Sequence, residues 1–293
     1  MSQAAENKTQ ISEYAAPTTL AEAVELIADC DATILAGGTD LMVQIENGRR
    51  QYGSRLVNIR RVEEMCGINV EGDEVRIGAL TTVTDILNSD LLADIAPVLP
   101  QTADCFASGQ LRNMATLGGN ICNASPAGDM IIPLILLDAQ VVLSAWQDCV
   151  VAQRLVPIAD FFTGPSKTVM VEYEILSEIR FAKPPAGYQA RFRKSGPRPA
   201  LEISTVSAGV GAVHGAGGMT DVRVALGAVA PVPYRAKKTE AYLEGKTMSA
   251  DVAAEAAAIA ADEVNPIDDV RASAWYRKHL TSVFIKRLLS DDD

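Results

Sequence analysis

The sequence predicts an α+β protein in two domains, and three observations carry that expectation. Helical and strand periodicities are interleaved as far as Phe181. The run Pro184-Pro185-Ala186-Gly187 then interrupts both periods and marks a boundary. Beyond it, two alternating segments flank a glycine-rich turn and two helical patterns follow, the signature of an antiparallel sheet packed by helices. The expected domains are residues 1–183, subdivided at about 1–60 and 61–183, and residues 188–293.

Taken in order, Thr19 to Glu22 has capping-box spacing, and Leu20, Ala23, Val24 and Ile27 mark one helical face. Thr33-Ile34-Leu35 reads as a short buried strand running into Ala36-Gly37-Gly38, and Leu56–Ile59 as another strand. Gly67–Val70 and Glu74–Ile77 predict a hairpin turning at Glu71-Gly72-Asp73. Thr82–Leu87 and Leu91–Phe106 are helical, the second bent or broken at Pro97 and Pro100. Glu172–Phe181 closes the first domain as a strand. In the second, Val206 to Ala212 and Val222 to Leu226 alternate around Gly215-Ala216-Gly217-Gly218, and helices are expected over Ala253–Val264 and Arg271–Leu289. Gly209-Val210-Gly211 resembles a dinucleotide fingerprint only superficially, since His214 replaces its final glycine and both flanks read as strands.

Composition narrows the function. With 26 basic and 37 acidic residues the net charge is −11, which argues against a nucleic-acid or anionic-membrane partner. No apolar run approaches the ~18 to 20 residues that a membrane-crossing helix requires. The first residues show no basic stretch followed by an apolar one, so a cytoplasmic location is expected. Cys30, Cys66, Cys105, Cys122 and Cys149 are scattered, and the only histidines are His214 and His279. That inventory points to buried or incidental thiols and to no metal site. The polar ends, Ser2–Gln10 and Asp291–Asp293, stand apart in composition.

Two glycine segments carry the functional information: Ile34-Leu35-Ala36-Gly37-Gly38-Thr39-Asp40-Leu41 and Ala115-Thr116-Leu117-Gly118-Gly119-Asn120. Paired glycines let backbone N–H groups converge on an anion, with Thr39 and Thr116 as supplementary donors. Two such loops together suit two linked phosphates without many lysines. Either alone is equally well an ordinary turn, and neither matches a P-loop or a G-x-G-x-x-G motif.

The segment from Phe106 through Thr116-Leu117-Gly118-Gly119-Asn120 to Ser125-Pro126-Ala127-Gly128-Asp129 resembles the signature of flavin subunits in molybdenum hydroxylases, the xanthine and carbon monoxide dehydrogenase family. The upstream A-G-G-T-D-L loop and Asp269–Arg277 resemble the same family, so the likeness spans nearly the whole chain. It implies an FAD-binding domain of the vanillyl-alcohol-oxidase (PCMH) type with two subdomains, and a C-terminal domain of the CO dehydrogenase flavoprotein type. Residues 34–41 and 116–120 would cradle the pyrophosphate of FAD, with Ala115 and Ser125 as further cofactor-binding residues of the same signature. Asp129 would accept from cofactor hydroxyls, though an N-cap or turn carboxylate before Met130–Leu137 is the competing reading. Phe106 and Leu176 would contact the cofactor, or serve as core residues. Lys194, in Phe192-Arg193-Lys194, would approach the flavin, or be an exposed lysine.

The resemblance further implies electron transfer: a small [2Fe–2S] subunit and a large molybdopterin subunit as partners, dimerisation of the trimer left open, and NAD or oxygen as acceptor. No acid–base catalyst is expected on this chain. Two alternatives stay open, a stand-alone FAD-dependent reductase or oxidase and an assembly subunit without flavin.

Overall fold

The structure, a computed structural model, describes residues 11–29, 31–198 and 201–290. Cys30 and the polar ends noted above lie outside the described residues.

The chain opens with β1 (Glu13–Ala15), α1 (Leu20–Ala28), β2 (Ala32–Leu35), α2 (Leu41–Glu46) and β3 (Arg55–Asn58), whose strands form a parallel sheet in the order β1-β3-β2. Thr19 caps α1 by accepting from the Glu22 N–H at 3.2 Å, and Ala23, Val24 and Ile27 are buried as the helical face predicts. The box is displaced by one residue, because the Glu22 carboxylate accepts from Thr18 N–H at 2.9 Å. That hydrogen bond holds the Glu22 carboxyl below its usual range. Of β2 only Thr33 is buried: as an edge strand it leaves Ile34 and Leu35 half-exposed, contrary to the buried strand expected.

β4 (Ile68–Glu71) and β5 (Glu74–Gly78) form the predicted hairpin. A helical layer follows: α3 (Val83–Leu87), α4 (Asp90–Ile95), α5 (Val98–Asp104), α6 (Gly109–Arg112), α7 (Leu117–Cys122) and α8 (Ile131–Leu136). The helix expected over 91–106 is divided at Ala96-Pro97, as the prolines require. Then come β6 (Gln140–Gln147), β7 (Val150–Pro157), α9 (Ile158–Phe161), the short ribbon β8 (Phe162–Gly164) and β9 (Lys167–Thr168), and β10 (Glu174–Ala182). An antiparallel sheet runs β4-β5-β10-β6-β7, with a bulge at Ser177 of β10. The bulge points the Ser177 carbonyl at Ala79 N–H (3.0 Å), which ties the sheet to the chain entering the helical layer.

β11 (Tyr188–Ser195), β12 (Val206–Gly215), β13 (Gly218–Gly227) and β14 (Tyr234–Arg235) make a second antiparallel sheet in chain order, followed by α10 (Lys237–Leu243), α11 (Ala250–Asp262) and α12 (Ala274–Leu289). Val206, Ala208, Val210 and Ala212 share one core with α11 and α12. The other face receives α8: a Cβ on Gly209 would stand 2.7 Å from Leu136 Cδ1. The glycines of the false fingerprint are therefore packing positions in a strand. All six residues of α8 are buried, and the helix closes the main core of the N-terminal region against this second sheet.

Candidate functional site

A cleft of about 290 Å³ lies where the strand end of β2, the start of α7 and the bulged β10 meet. Its first wall is the loop after β2. Ala36 to Leu41 line it together with Ile34, and Gly38 takes a left-handed backbone (φ 75°). The N–H groups of Gly37, Gly38, Thr39 and Asp40 donate to no acceptor among the described residues. Such an array of unbonded amides suits an anion. Gly37 is dictated by packing: a Cβ there would fall 1.9 Å from the Met114 carbonyl oxygen, so only glycine lets this loop rest against the opposite one.

The facing wall, Ala115, Thr116, Gly118, Gly119 and Asn120, is built differently. Leu117 N–H donates to Thr81 O (3.0 Å), Gly118 N–H to Ala79 O (2.8 Å) and Asn120 N–H to Thr116 O (3.0 Å). Gly119 N–H is held by Thr116 Oγ1 at 3.1 Å, the N-cap of α7. These amides are committed to the fold, so what remains for a ligand is side chains. Asn120 Oδ1 is buried without a hydrogen-bond partner, an acceptor aligned with the cleft wall. An unsatisfied buried acceptor costs about 1–3 kcal/mol, so a bound donor there is favoured.

Apolar residues complete the cleft. Phe106, half-buried, and Leu176, on the strand just before the bulge, line it with Met65, Leu80 and Ile175. Arg112 Nη1 fixes the Phe106 carbonyl at 2.9 Å. Among the described residues, Arg50 and Asp40 are the charged side chains lining the cleft. Partial desolvation raises the Asp40 carboxyl above its usual value.

Four expected residues do not line the cleft. Leu35, the last residue of β2, is not part of the lining, and Ser125 Oγ accepts from Ala127 N–H (3.2 Å) in the turn before α8. Asp129 and Lys194 form a buried pair (Nζ–Oδ2 2.7 Å), with Ser204 Oγ donating to the other carboxylate oxygen at 2.6 Å. Burial pushes the Asp129 carboxyl up, and Lys194 and Ser204 pull it part of the way back. Asp129 does not cap α8 but stands in the turn before it, and Lys194 is not exposed. The pair acts electrostatically on Cys105, the neighbour of Phe106. Burial raises the Cys105 thiol, and Lys194 offsets this in part. Cys66, Cys105, Cys122 and Cys149 are free and exposed, which leaves the incidental of the two readings, buried or incidental thiols. Sequence reading missed Gln44, Arg50, Asn123 and Met170. Gln44 Nε2 donates to Asn123 Oδ1 at 2.8 Å, a clasp between α2 and the end of α7 that no local motif announces.

Residues 7–184 match the family described as FAD binding domain in molybdopterin dehydrogenase, and residues 191–291 the CO dehydrogenase flavoprotein C-terminal domain. The chain belongs to this family of flavoprotein subunits. It is 32% identical over 282 residues to the xanthine dehydrogenase FAD-binding subunit of Escherichia coli O157:H7, covering 95% of this chain and 94% of that one. It is also 32% identical over 284 residues to the carbon monoxide dehydrogenase medium chain of Hydrogenophaga pseudoflava, covering 95% and 96%. A solved structure of carbon monoxide dehydrogenase from the latter organism superposes with a TM-score of 0.89 at 32% identity, over 95% of this chain and 96% of that one. Quinoline 2-oxidoreductase from Pseudomonas putida 86 superposes at 0.88, with 27% identity and 98% of both chains covered. The two-part FAD-binding architecture with an antiparallel C-terminal sheet is that of the carbon monoxide dehydrogenase medium subunits. Among the described residues no helix is long and apolar enough to cross a membrane, and no group of three or more His, Cys, Asp or Glu could hold a metal.

Proposed function

We propose that this flavoprotein subunit receives electrons from [2Fe–2S] centres of a small partner subunit and passes them through FAD to an acceptor such as NAD or oxygen. Hydroxylation would take place at a molybdopterin centre on a large partner subunit. We read residues 1–183 as the flavin domain and 188–293 as the C-terminal domain.

The observation that carries the reading is the set of unbonded N–H groups at Gly37–Asp40 facing Thr116 and Asn120 across the cleft, whose inner wall of Phe106, Ile175 and Leu176 is apolar. Neutral backbone donors suit a pyrophosphate on a chain of net charge −11. In this assignment Gly37, Gly38, Thr39 and Asp40 hold phosphate through backbone N–H. Ile34, Leu35, Ala36 and Leu41 shape that loop, Ala115, Gly118 and Gly119 allow the second wall to approach, and Thr116 and Asn120 meet the cofactor from it. Phe106 and Leu176 exclude water from a ring. Ser125 and Asp129 fix the segment behind Phe106, and Lys194 supplies a buried positive charge there. Bound FAD supplies the exchange of single electrons and of an electron pair. The chain's contribution is position and electrostatics.

Heat-released chromophore should chromatograph as FAD, about one per chain, and FMN alone would overturn the cradle assignment. In the assembled complex, removing FAD should stop reduction of the acceptor yet spare reduction of the iron–sulfur centres, which rapid-mixing spectra resolve. Turnover of an organic substrate by the isolated chain would replace this reading with a stand-alone flavoenzyme.

A further inference from the structure

A diphosphate is anionic at neutral pH, and backbone amides orient it without cancelling its charge. The chain around the cleft is itself at −11, so a bound dinucleotide meets a repulsive field. Of the side chains lining the cleft, among the described residues, Arg50 is the cation. It is exposed, and its guanidinium makes no ion pair or hydrogen bond with another described residue. Asp40, the acid on the same lining, does not pair with it, since desolvation alone accounts for the raised Asp40 carboxyl.

The root of Arg50 is nevertheless fixed. Gly48 ends α2 in a left-handed turn (φ 68°), a conformation that glycine adopts without strain. The chain then folds back, and the N–H groups of Arg49 (2.8 Å) and Arg50 (3.3 Å) both donate to the Gln44 carbonyl. Gln44 is the residue whose side chain clasps Asn123, so the Arg50 backbone is tied to both walls. The guanidinium acts across the gap: the walls around Cys122 desolvate its thiol and raise it, and the Arg50 charge opposes the rise. An arginine rooted in this way, without a carboxylate, has its donors and its charge available for an anion. Position separates it from an ordinary solvated arginine. Arg49, one residue earlier and also exposed, is not on the lining.

We propose that Arg50 is an ionic clamp for the diphosphate of FAD, supplying the positive charge that the glycine loops lack. This rests on the cradle assignment made above. The loops orient the phosphates through neutral donors, and Arg50 offsets their charge and the field of the chain.

The test is a fluorescence titration of the flavin-free full chain with FAD, at low and high salt, in Arg50→Gln, Arg50→Lys and Arg49→Gln. Both glutamine variants remove a positive charge from the same exposed loop, so the general field changes alike. Arg50→Gln should weaken FAD by about tenfold, and Arg49→Gln by less than about twofold. Lysine at position 50 should recover part of the loss, because it keeps the charge but not the planar fork. Added salt should weaken FAD less in Arg50→Gln than in the parent, since the screened contact is gone. The flavin-free variants should melt with the parent. Equal affinity of the two glutamine variants for FAD, or an unchanged salt dependence in Arg50→Gln, would overturn the proposal. A lower melting temperature in Arg50→Gln would also count against it, because an exposed, unpaired side chain holds nothing in the fold. A parent chain that takes up no FAD would instead bring down the cradle assignment, and this inference with it.

Discussion

Across the cleft, the loop at 37–40 offers four N–H groups that no protein acceptor uses, whereas from Leu117 to Asn120 every N–H is already bonded within the fold. Both loops carry a Gly-Gly pair, and by sequence they are interchangeable. Their glycines nevertheless serve different ends. Gly37 lets the first loop lean on the Met114 carbonyl, which braces an anion-ready backbone from behind. Gly119 leaves room for the Thr116 hydroxyl that caps α7. A glycine motif thus reports close approach, and only the hydrogen-bond accounting tells whether the neighbour is a ligand or the protein itself.

Gly37→Ala should show the largest effect. Its methyl would meet backbone, not a side chain that can swing aside, so a loss of about 3 kcal/mol is expected. Calorimetry should show Tm lower by roughly 5–10 °C, and gel filtration should show loss of FAD. Gly119→Ala displaces only the capping hydroxyl, an effect of about 1 kcal/mol. It should keep its flavin with affinity changed less than about tenfold. If the two variants lost FAD equally, the asymmetry between the loops would be wrong.

Asn120→Ala sharpens the comparison because two readouts move in opposite directions. Removing an unsatisfied buried acceptor, and adding a better helix former, should stabilise the flavin-free chain by about 1 kcal/mol. Losing that acceptor should weaken FAD by roughly fivefold in a fluorescence titration. A parallel change in both would mean that Asn120 meets no ligand.

Asp40→Asn is the smallest. Desolvation raises the folded-state pKa of Asp40 above its ordinary value of 3.8, so ionisation weakens the native state as pH rises through that value and on to the raised one. Asparagine removes the penalty. Because Asp40 is exposed and solvent screens the penalty, the flavin-free variant should melt only slightly higher than the parent at pH 7, with the difference vanishing below pH 3.8.

Much of this architecture is legible in local chemistry. The Thr19 and Thr82 caps, the β4-β5 turn and the alternation in β12 and β13 are each set by neighbours in sequence. The hairpin of β6 and β7 escaped because Asp148 and Cys149 occupy its left-handed turn (φ 49° and 63°), where glycine or asparagine is the usual signal. The cleft divides the same way. Residues 34–41 and 115–120 drew notice as motifs, and the fold brings nearly all of them together. Arg50 and Met170 carry no motif, since their place depends on how distant segments pack. Asp129 and Lys194 share a resemblance but are joined only by tertiary structure, which turns them toward each other and away from the cleft lining.

The complete burial of α8 also bears on how the chain is made. One side of this all-apolar helix is covered by β12 and β13, which follow it in synthesis by roughly ninety residues. At ordinary translation speeds of about 5–20 residues per second, Ile131–Leu136 waits some 5 to 20 s for its cover. A ribosome-bound fragment ending before Val206 therefore leaves the sheet-facing side of this apolar helix uncovered, a target for chaperone capture that disappears once the sheet has emerged.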